Sequence, residues 1–525
     1  MKKIQLIYPL LLAIYPSLFL FTSNFSEASG ASFYPVVLAS LIVTALLYGL
    51  FFLFIRDFKK SALYLFPFLV IFFAMGHISF DFVDRFWEVG PLLVRIKEKL
   101  HLEVSDVTLW AWPQFLLFGI CYFFFVKYLR KIKQETLDRF TQALFVVSFL
   151  LIIFQAIDLA NSLWLKGGES GQSRKKLEVK ASANSLFATT VNLPDIYYII
   201  PDGHPRADVL AKYHKFDNSK FIAGLEDMGF FVAKNSYSNY AATFLSITSS
   251  LNMRYINYFA ERNGQRSRHT LNVYNELWDN EVFKFLHAKG YTNYHLQNSW
   301  MGAKTNRYAD IELPCIEEEK KDDIFLNLFI NSTMLYLFLT NDIAHDIAKC
   351  HMKGIEQLSQ LYKIPGPKFV SAHLRPPHPP FVFDRDGNFI ENDLYTDNTE
   401  GPKVRAWFHF DMFVDQMVFV DKQLSELAAN IIANTPNGAI IIFQSDHGAR
   451  IVSNTSSNDF RQARHANFTA IYHPDKTKLF DDNITPVNIF RIIFNHYLGG
   501  NFEILPNKIY YSEYGHPFDF SEMNF

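Results

Sequence analysis

Along the first third of the chain, apolar positions do not alternate with polar ones. Ile4–Asn24, Ala28–Ile55, Ser61–Phe80, Val107–Val126 and Phe140–Ile157 each run without a charged residue. Crossing about 30 Å of hydrocarbon takes about 20 apolar residues, so five spanning helices are expected. A soluble domain rarely strings five such runs so closely together. Met1-Lys2-Lys3 before the first run also fits a signal peptide. The prompt return of further spans favours an uncleaved anchor.

The pattern changes after Trp164. Residues 166–192, opening Lys166-Gly-Gly-Glu-Ser-Gly, read as a polar linker with a basic cluster at Arg174–Lys176. That cluster suits either anionic headgroups or plain solvent. From Leu193 onward, short apolar runs have the look of buried parallel strands: Ile196–Ile200, Phe369–Ala372, Ala439–Phe443 and Phe468–Tyr472. Three- and four-residue apolar spacing marks helices over Phe221–Met228, Glu281–Lys289, Asp411–Ala429 and Val487–Tyr497. Such alternation implies an α/β domain with a mainly parallel central sheet. The expected organisation is a membrane domain of five transmembrane helices at 1–165, a linker at 166–192 and an extracytoplasmic domain at 193–525.

Composition sharpens this picture. Of 525 residues, 49% are hydrophobic, 17% aromatic and 19% charged, which excludes a disordered chain. A net charge of −2 gives no footprint for nucleic acid. Three cysteines are too few for a disulfide scaffold. Lys2, Lys3, Arg56, Lys59, Lys60, Lys127, Arg130, Lys131, Lys133 and Arg139 fall on one side of the spans. The rule that basic loops stay inside then makes the N-terminus cytoplasmic and places everything after Trp164 outside. Cys315 and Cys350 are there in an oxidising setting, where a disulfide between them is expected. Trp87, Trp110 and Trp112 suit an interfacial belt.

In parallel sheets, functional groups gather past the C-terminal ends of strands. The first strand runs into Asp202-Gly203-His204; Asp-Gly is also an ordinary turn pair. A later strand runs into Ser445-Asp446-His447-Gly448, a carboxylate beside an imidazole, which suits Zn²⁺ or Mn²⁺. Between them, Thr243 stands where a polar loop feeds a short helix. It is either a nucleophile or an N-cap contributing about 1 kcal/mol.

Asp202, Thr243 and Ser445-Asp446-His447-Gly448, in that order, resemble the alkaline phosphatase/sulfatase superfamily. Its membrane-anchored lipoteichoic acid synthases, phosphoglycerol transferases and phosphoethanolamine transferases also join five spans to an external catalytic domain. The resemblance covers the whole chain in architecture and about 330 residues in motif order. It implies a sulfatase-like transferase or hydrolase. Asp202, Thr243, Asp446 and His447 would hold one divalent metal ion, Zn or Mn, and Thr243 would be the nucleophile. Asp202 stands where the named transferases usually have Glu. Ser371-Ala-His373-Leu-Arg375-Pro-Pro-His378-Pro-Pro resembles their phosphate-gripping loop, with His378 the stronger candidate and His373 the second. His465 falls where a further His is common, and each of these His residues also suits a structural hydrogen bond. His378 and His465 are candidate acid/base groups; Arg375 and Arg450 are candidate phosphate ligands. The implied function moves a phospholipid-derived phospho-headgroup, of phosphoethanolamine or phosphoglycerol type, to an envelope glycan or lipid through a phospho-threonine. The alternatives are a phosphodiesterase or phosphatase, and a non-catalytic envelope assembly factor. Two departures shape this reading. The Cys-x-Pro-x-Arg motif of true sulfatases is absent, since Cys315 is followed by Ile-Glu-Glu-Glu. Asp342-x-x-His345 has the wrong spacing for a second metal site.

Overall fold

The computed structural model describes residues 4–23, 30–86, 99, 106–173, 193–267, 270–298, 300–315, 324–337, 343–390, 410–435, 438–451, 457–475 and 477–524. The basic cluster Arg174–Lys176, Trp87 and Asp342 lie outside the described residues. The chain divides into two compact units, Met1–Ala188 with Asp322–Asn341, and Thr189–Lys321 with Asp342–Phe525.

Among the described residues, five helices of the first unit are long and apolar enough to cross a membrane: Gln5–Ser23, Ser32–Ile55, Phe58–Ile78, Ala111–Lys131 and Gln134–Ala160. Leu20, Phe21, Leu65, Leu69 and Phe73 pack together inside the unit. Leu46, Phe54, Leu116 and Phe154 stand exposed on its outside, as helices do when lipid replaces a protein neighbour. Two boundaries differ from the sequence reading. The last long helix runs Gln134–Ser173, into the stretch read as linker. The short helix Ile324–Ser332 packs Phe325 and Phe329 into the first unit's core, although the sequence assigned it to the second domain. Its nine residues are too few to register as a span.

The second unit is built on a sheet of seven strands: β1 (Asp195–Pro201), β2 (Phe231–Val232), β3 (Thr292–Leu296), β4 (Ile311–Leu313), β5 (Lys368–Leu374), β6 (Ala439–Gln444) and β7 (Thr469–Tyr472). Their order is β2-β7-β6-β1-β5-β3-β4. β1 pairs parallel with both β5 and β6, and β3 parallel with both β4 and β5. β7 runs antiparallel to β6 and to β2, a correction to its expected parallel direction. Four apolar residues fix burial but not direction. β1 shows the two-residue period of a strand covered on both faces. Ile196, Tyr198 and Ile200 enter one core with Phe369, Ile440 and Ile442. Tyr197 and Ile199 enter the other with Val370, Ile441 and Phe443. Because β6, β1 and β5 are neighbours and parallel, their C-terminal ends come out side by side, and the candidate residues lie there.

Candidate metal and phosphoryl site

Asp202 is the first residue after β1. Gly203 turns the chain with φ 70°, a conformation open to glycine without strain, and its N–H donates to Asp446 Oδ1 at 2.9 Å. Asp446 and His447 follow β6 and are held from several sides. Ser445 Oγ donates to His204 O at 2.6 Å, and Ser246 Oγ to Asp446 O at 2.6 Å. Gly448 is packed so closely that a Cβ would lie 2.1 Å from Ala463 O. The turn bearing the Asp-His pair is therefore clamped beneath the helix Asn458–His465.

Thr243 opens the helix Thr243–Asn252. The capping position belongs to Ala242, and no side-chain cap bond forms, so the N-cap reading of Thr243 falls away. Its half-buried Oγ1 lies 3.2 Å from His447 Nε2, at a helix end where backbone N–H groups favour an anion.

The two imidazoles of the site carry opposite tautomers. His447 Nδ1 lies 2.9 Å from Gly448 O and donates to it. Nε2 then bears a lone pair, which accepts from Arg464 Nη2 at 2.8 Å. That nitrogen is 3.2 Å from Asp446 Oδ2 and 3.6 Å from Asp202 Oδ1. His373 differs. Asn298 Oδ1 accepts from Trp300 N at 2.8 Å, which orients the amide. Asn298 Nδ2 then donates to His373 O at 2.6 Å and to Nδ1 at 3.1 Å. The proton of His373 consequently sits on Nε2, 3.4 Å from Asp202 Oδ2.

The donor set fits a divalent ion. Asp202, His373 and Asp446 place ligand atoms within 4.8 Å of one another. Asp202 Oδ1, Asp446 Oδ2 and His373 Nε2 are buried without a hydrogen-bond partner, and buried charge is costly unless paired or bound to metal. Burial pushes the Asp202 carboxyl up to about 7, against the pull of Arg464 and Arg375. Burial, reinforced by Asp202, pushes Asp446 to about 7 as well. Burial, then the Arg464 charge, holds His447 well below the usual imidazole range. Asp202 and Asp446 are the donors that suit an ion; His447 Nε2 lies beside both, and His373, in the tautomer that Asn298 favours, directs a proton at Asp202.

The other candidates divide. Arg375 is half-buried beside the acids, with burial lowering its pKa and Asp202 opposing that. The His378 ring centroid is 6.5 Å from that of His447, and its Nδ1 donates to Pro379 O at 2.6 Å. Arg450 acts on the site through its charge on Arg464 and His447. His465 is fully buried and donates from Nδ1 to Ser238 O at 2.9 Å, a structural bond. Cys315 and Cys350 form a disulfide. The sequence reading missed Arg464 and Asn298. Arg464 joins Ala241 O, Gly448 O and His447 Nε2, so it ties the Thr243 segment to the Asp-His turn.

No family model matches the sequence, and no curated protein matches it. Solved structures do. Among them is the integral membrane lipooligosaccharide phosphoethanolamine transferase A from Neisseria meningitidis, at 12% identity and TM-score 0.40, with 93% of this chain and 95% of that chain covered. Another is the C-terminal periplasmic domain of EptC from Escherichia coli in complex with Zn, at 10% identity and TM-score 0.39, covering 58% and 82%. A third is the lipoteichoic acid synthase LtaP from Listeria monocytogenes, at 13% identity and TM-score 0.35, covering 58% and 71%. At such scores the side-chain geometry, not the likeness, bears on function.

Proposed function

We propose that the chain is a metal-dependent phospho-group transferase that takes a headgroup from a membrane phospholipid and passes it through Thr243 to an envelope glycan or lipid. The observation that carries this reading is Thr243 Oγ1 standing 3.2 Å from the His447 lone pair, beside two buried carboxylates with orphaned oxygens. Asp202, Asp446, His447 and Thr243 are the residues that would hold one ion, Zn²⁺ or Mn²⁺. When bound, such an ion supplies positive charge that acidifies a hydroxyl and stabilises phosphoryl oxygens.

The residues then divide the remaining work. Thr243 Oγ1 would bond to phosphorus as the phosphorus–oxygen bond to the lipid breaks, and its proton would pass to His378 Nε2, since His378 Nδ1 is engaged with Pro379 O. His373 Nε2–H and the Arg375 guanidinium bind the non-bridging oxygens. His378, carrying that proton on Nε2, would return it to the departing lipid oxygen. The acceptor alcohol would attack the phospho-threonine from the position the lipid oxygen left, in line with Thr243 Oγ1, and release Thr243. Replacement of that alcohol by water gives the hydrolase alternative, which uses the same residues.

Five apolar helices suit an inner-membrane, multi-pass protein, and the basic residues flanking the spans favour a cytoplasmic N-terminus. The Cys315–Cys350 disulfide supports an extracytoplasmic second unit. The test incubates full-length protein, loaded with Zn²⁺ or Mn²⁺, with mixed phospholipid vesicles. Release of diacylglycerol, abolished by chelation and restored by metal, is the expected result. Stoichiometric metal without any lipid turnover would refute the lipid-transferase reading.

A further inference from the structure

The loop that carries His378 has few means of holding itself. Arg375 is followed by Pro376, Pro377, His378, Pro379 and Pro380, and proline has no N–H to donate. The one backbone N–H of that run, on His378, donates to Arg375 O at 3.0 Å. The run thus carries more backbone acceptors than its own donors can meet, and a buried carbonyl left unmet is costly.

The missing partners come from one side chain. Gln416 lies in the helix Phe410–Asn434, fully buried beside Phe413 and Val420, one turn away on either side. Its Oε1 accepts from Val382 N at 2.7 Å and from Phe383 N at 3.2 Å. Its Nε2 donates to Pro377 O at 3.1 Å, to His378 O at 3.3 Å and to Pro380 O at 3.4 Å. The two backbone nitrogens are donors only and the three carbonyls acceptors only, so the amide has a single workable orientation. An amide among apolar side chains is tolerated when it is well bonded. Here every bond goes to the segment 377–383, on both sides of His378.

Arg375 does not depend on this clamp. It directly follows β5, where Leu374 O accepts from Asp202 N at 2.9 Å, so the sheet sets its place. His378 stands in mid-run, and its ring is fixed by Nδ1 donating to Pro379 O at 2.6 Å. We infer that Gln416 is a positioning residue that holds His378 for proton transfer. Its amide sets the loop backbone, the backbone presents Pro379 O, and Pro379 O keeps the ring proton on Nδ1. This rests on the transferase reading above, in which His378 Nε2 takes one proton from Thr243 and returns one to the lipid oxygen, with no net gain or loss.

The experiment is a double-substitution cycle on metal-loaded full-length protein. Vesicles of phosphatidylethanolamine and phosphatidylglycerol supply the lipid, and diacylglycerol release is read. His378→Ala should lower kcat about a hundredfold. Gln416→Met, which keeps the volume and removes both halves of the amide, should also lower kcat about a hundredfold, the scale of an ångström's misplacement. Its KM should stay within about twofold of the parent's, because His373 and Arg375 keep their places. Added to His378→Ala, Gln416→Met should cost no more than about a further twofold, since it acts through a residue already gone. Gln416→Glu, whose carboxyl stays protonated among those carbonyls, keeps one donor and one acceptor and should fall only about tenfold. Metal content should match the parent's throughout, and thermal unfolding identifies a variant that has not folded; should Gln416→Met not fold, Gln416→Glu carries the same cycle. A further tenfold loss in the His378→Ala background would overturn the assignment and leave the transferase intact. So would a folded Gln416→Met with the parent's kcat, or a loss confined to KM. His378→Ala at the parent's kcat would overturn the proton-transfer role and the assignment together. No release by the metal-loaded parent would overturn the transferase reading, and the assignment with it.

Discussion

Asp202 and Asp446 concentrate the physics of the site, since two carboxyls share one buried space with a neutral imidazole. Both are pushed to about 7, chiefly by burial, against about 4 in an unfolded chain. The sign follows from linkage. Groups raised on folding contribute fully below about pH 4, and that contribution is lost as the pH rises to about 7. The metal-free protein should therefore lose stability across this window. Cation binding displaces the same protons, so affinity should climb by about tenfold per pH unit for each proton displaced, and level off above pH 7. Chelator competition across neutral pH, with thermal unfolding alongside, checks both signs. Affinity independent of pH would argue against carboxylate ligands. Asn298 offers a second check. Asn298→Ala frees the His373 tautomer without removing a metal ligand, so turnover should fall about tenfold with metal content unchanged.

The legible residues are those with a local signature. Asp202 and the Asp446-His447 pair follow apolar strand runs, and the strand-end rule locates such groups without a fold in hand. Thr243 was legible only through its likeness to known motifs, because a Thr at a helix start is more often a cap. Arg464 and Asn298 have no such signature. Each matters through partners far along the chain: Arg464 through Ala241 and Asn298 through His373.

At the scale of elements, three parallel strand ends and one clamped turn set the geometry. Their order β6-β1-β5 puts Asp446 on one side of Asp202 and His373 on the other. Strand existence was readable from apolar runs, whereas the direction of β7 and the existence of β2, β3 and β4 were not. Such short strands follow from their neighbours. Gly448 is the sensitive point of the turn. Gly448→Ala would press a methyl into Ala463 O, at a cost of about 1–3 kcal/mol. The Asp-His turn should shift and metal occupancy fall well below the parent's. A metal count with a calorimetric scan checks this; an unchanged count would mean that the turn yields more easily than its packing implies.

The whole molecule joins a unit of five apolar helices to an α/β unit. The first was readable from uninterrupted apolar runs, which few other folds require. The exception is Ile324–Ser332, whose Phe325 and Phe329 complete that unit's core from far along the chain. If the five helices span, the protein should stay in the membrane pellet through an alkaline carbonate wash and leave only with detergent. Release by the wash would contradict the spans.

The central claim is a covalent one, and intact mass after incubation with metal and mixed phospholipids tests it most directly. The parent should carry an adduct of phosphoethanolamine or phosphoglycerol mass, located on Thr243, and Thr243→Ala should carry none. Because Thr243 makes no cap bond, the variant should unfold within about 0.5 kcal/mol of the parent. A metal-loaded parent that turns over lipid without any adduct on Thr243, or a Thr243→Ala variant that retains turnover, would contradict the account.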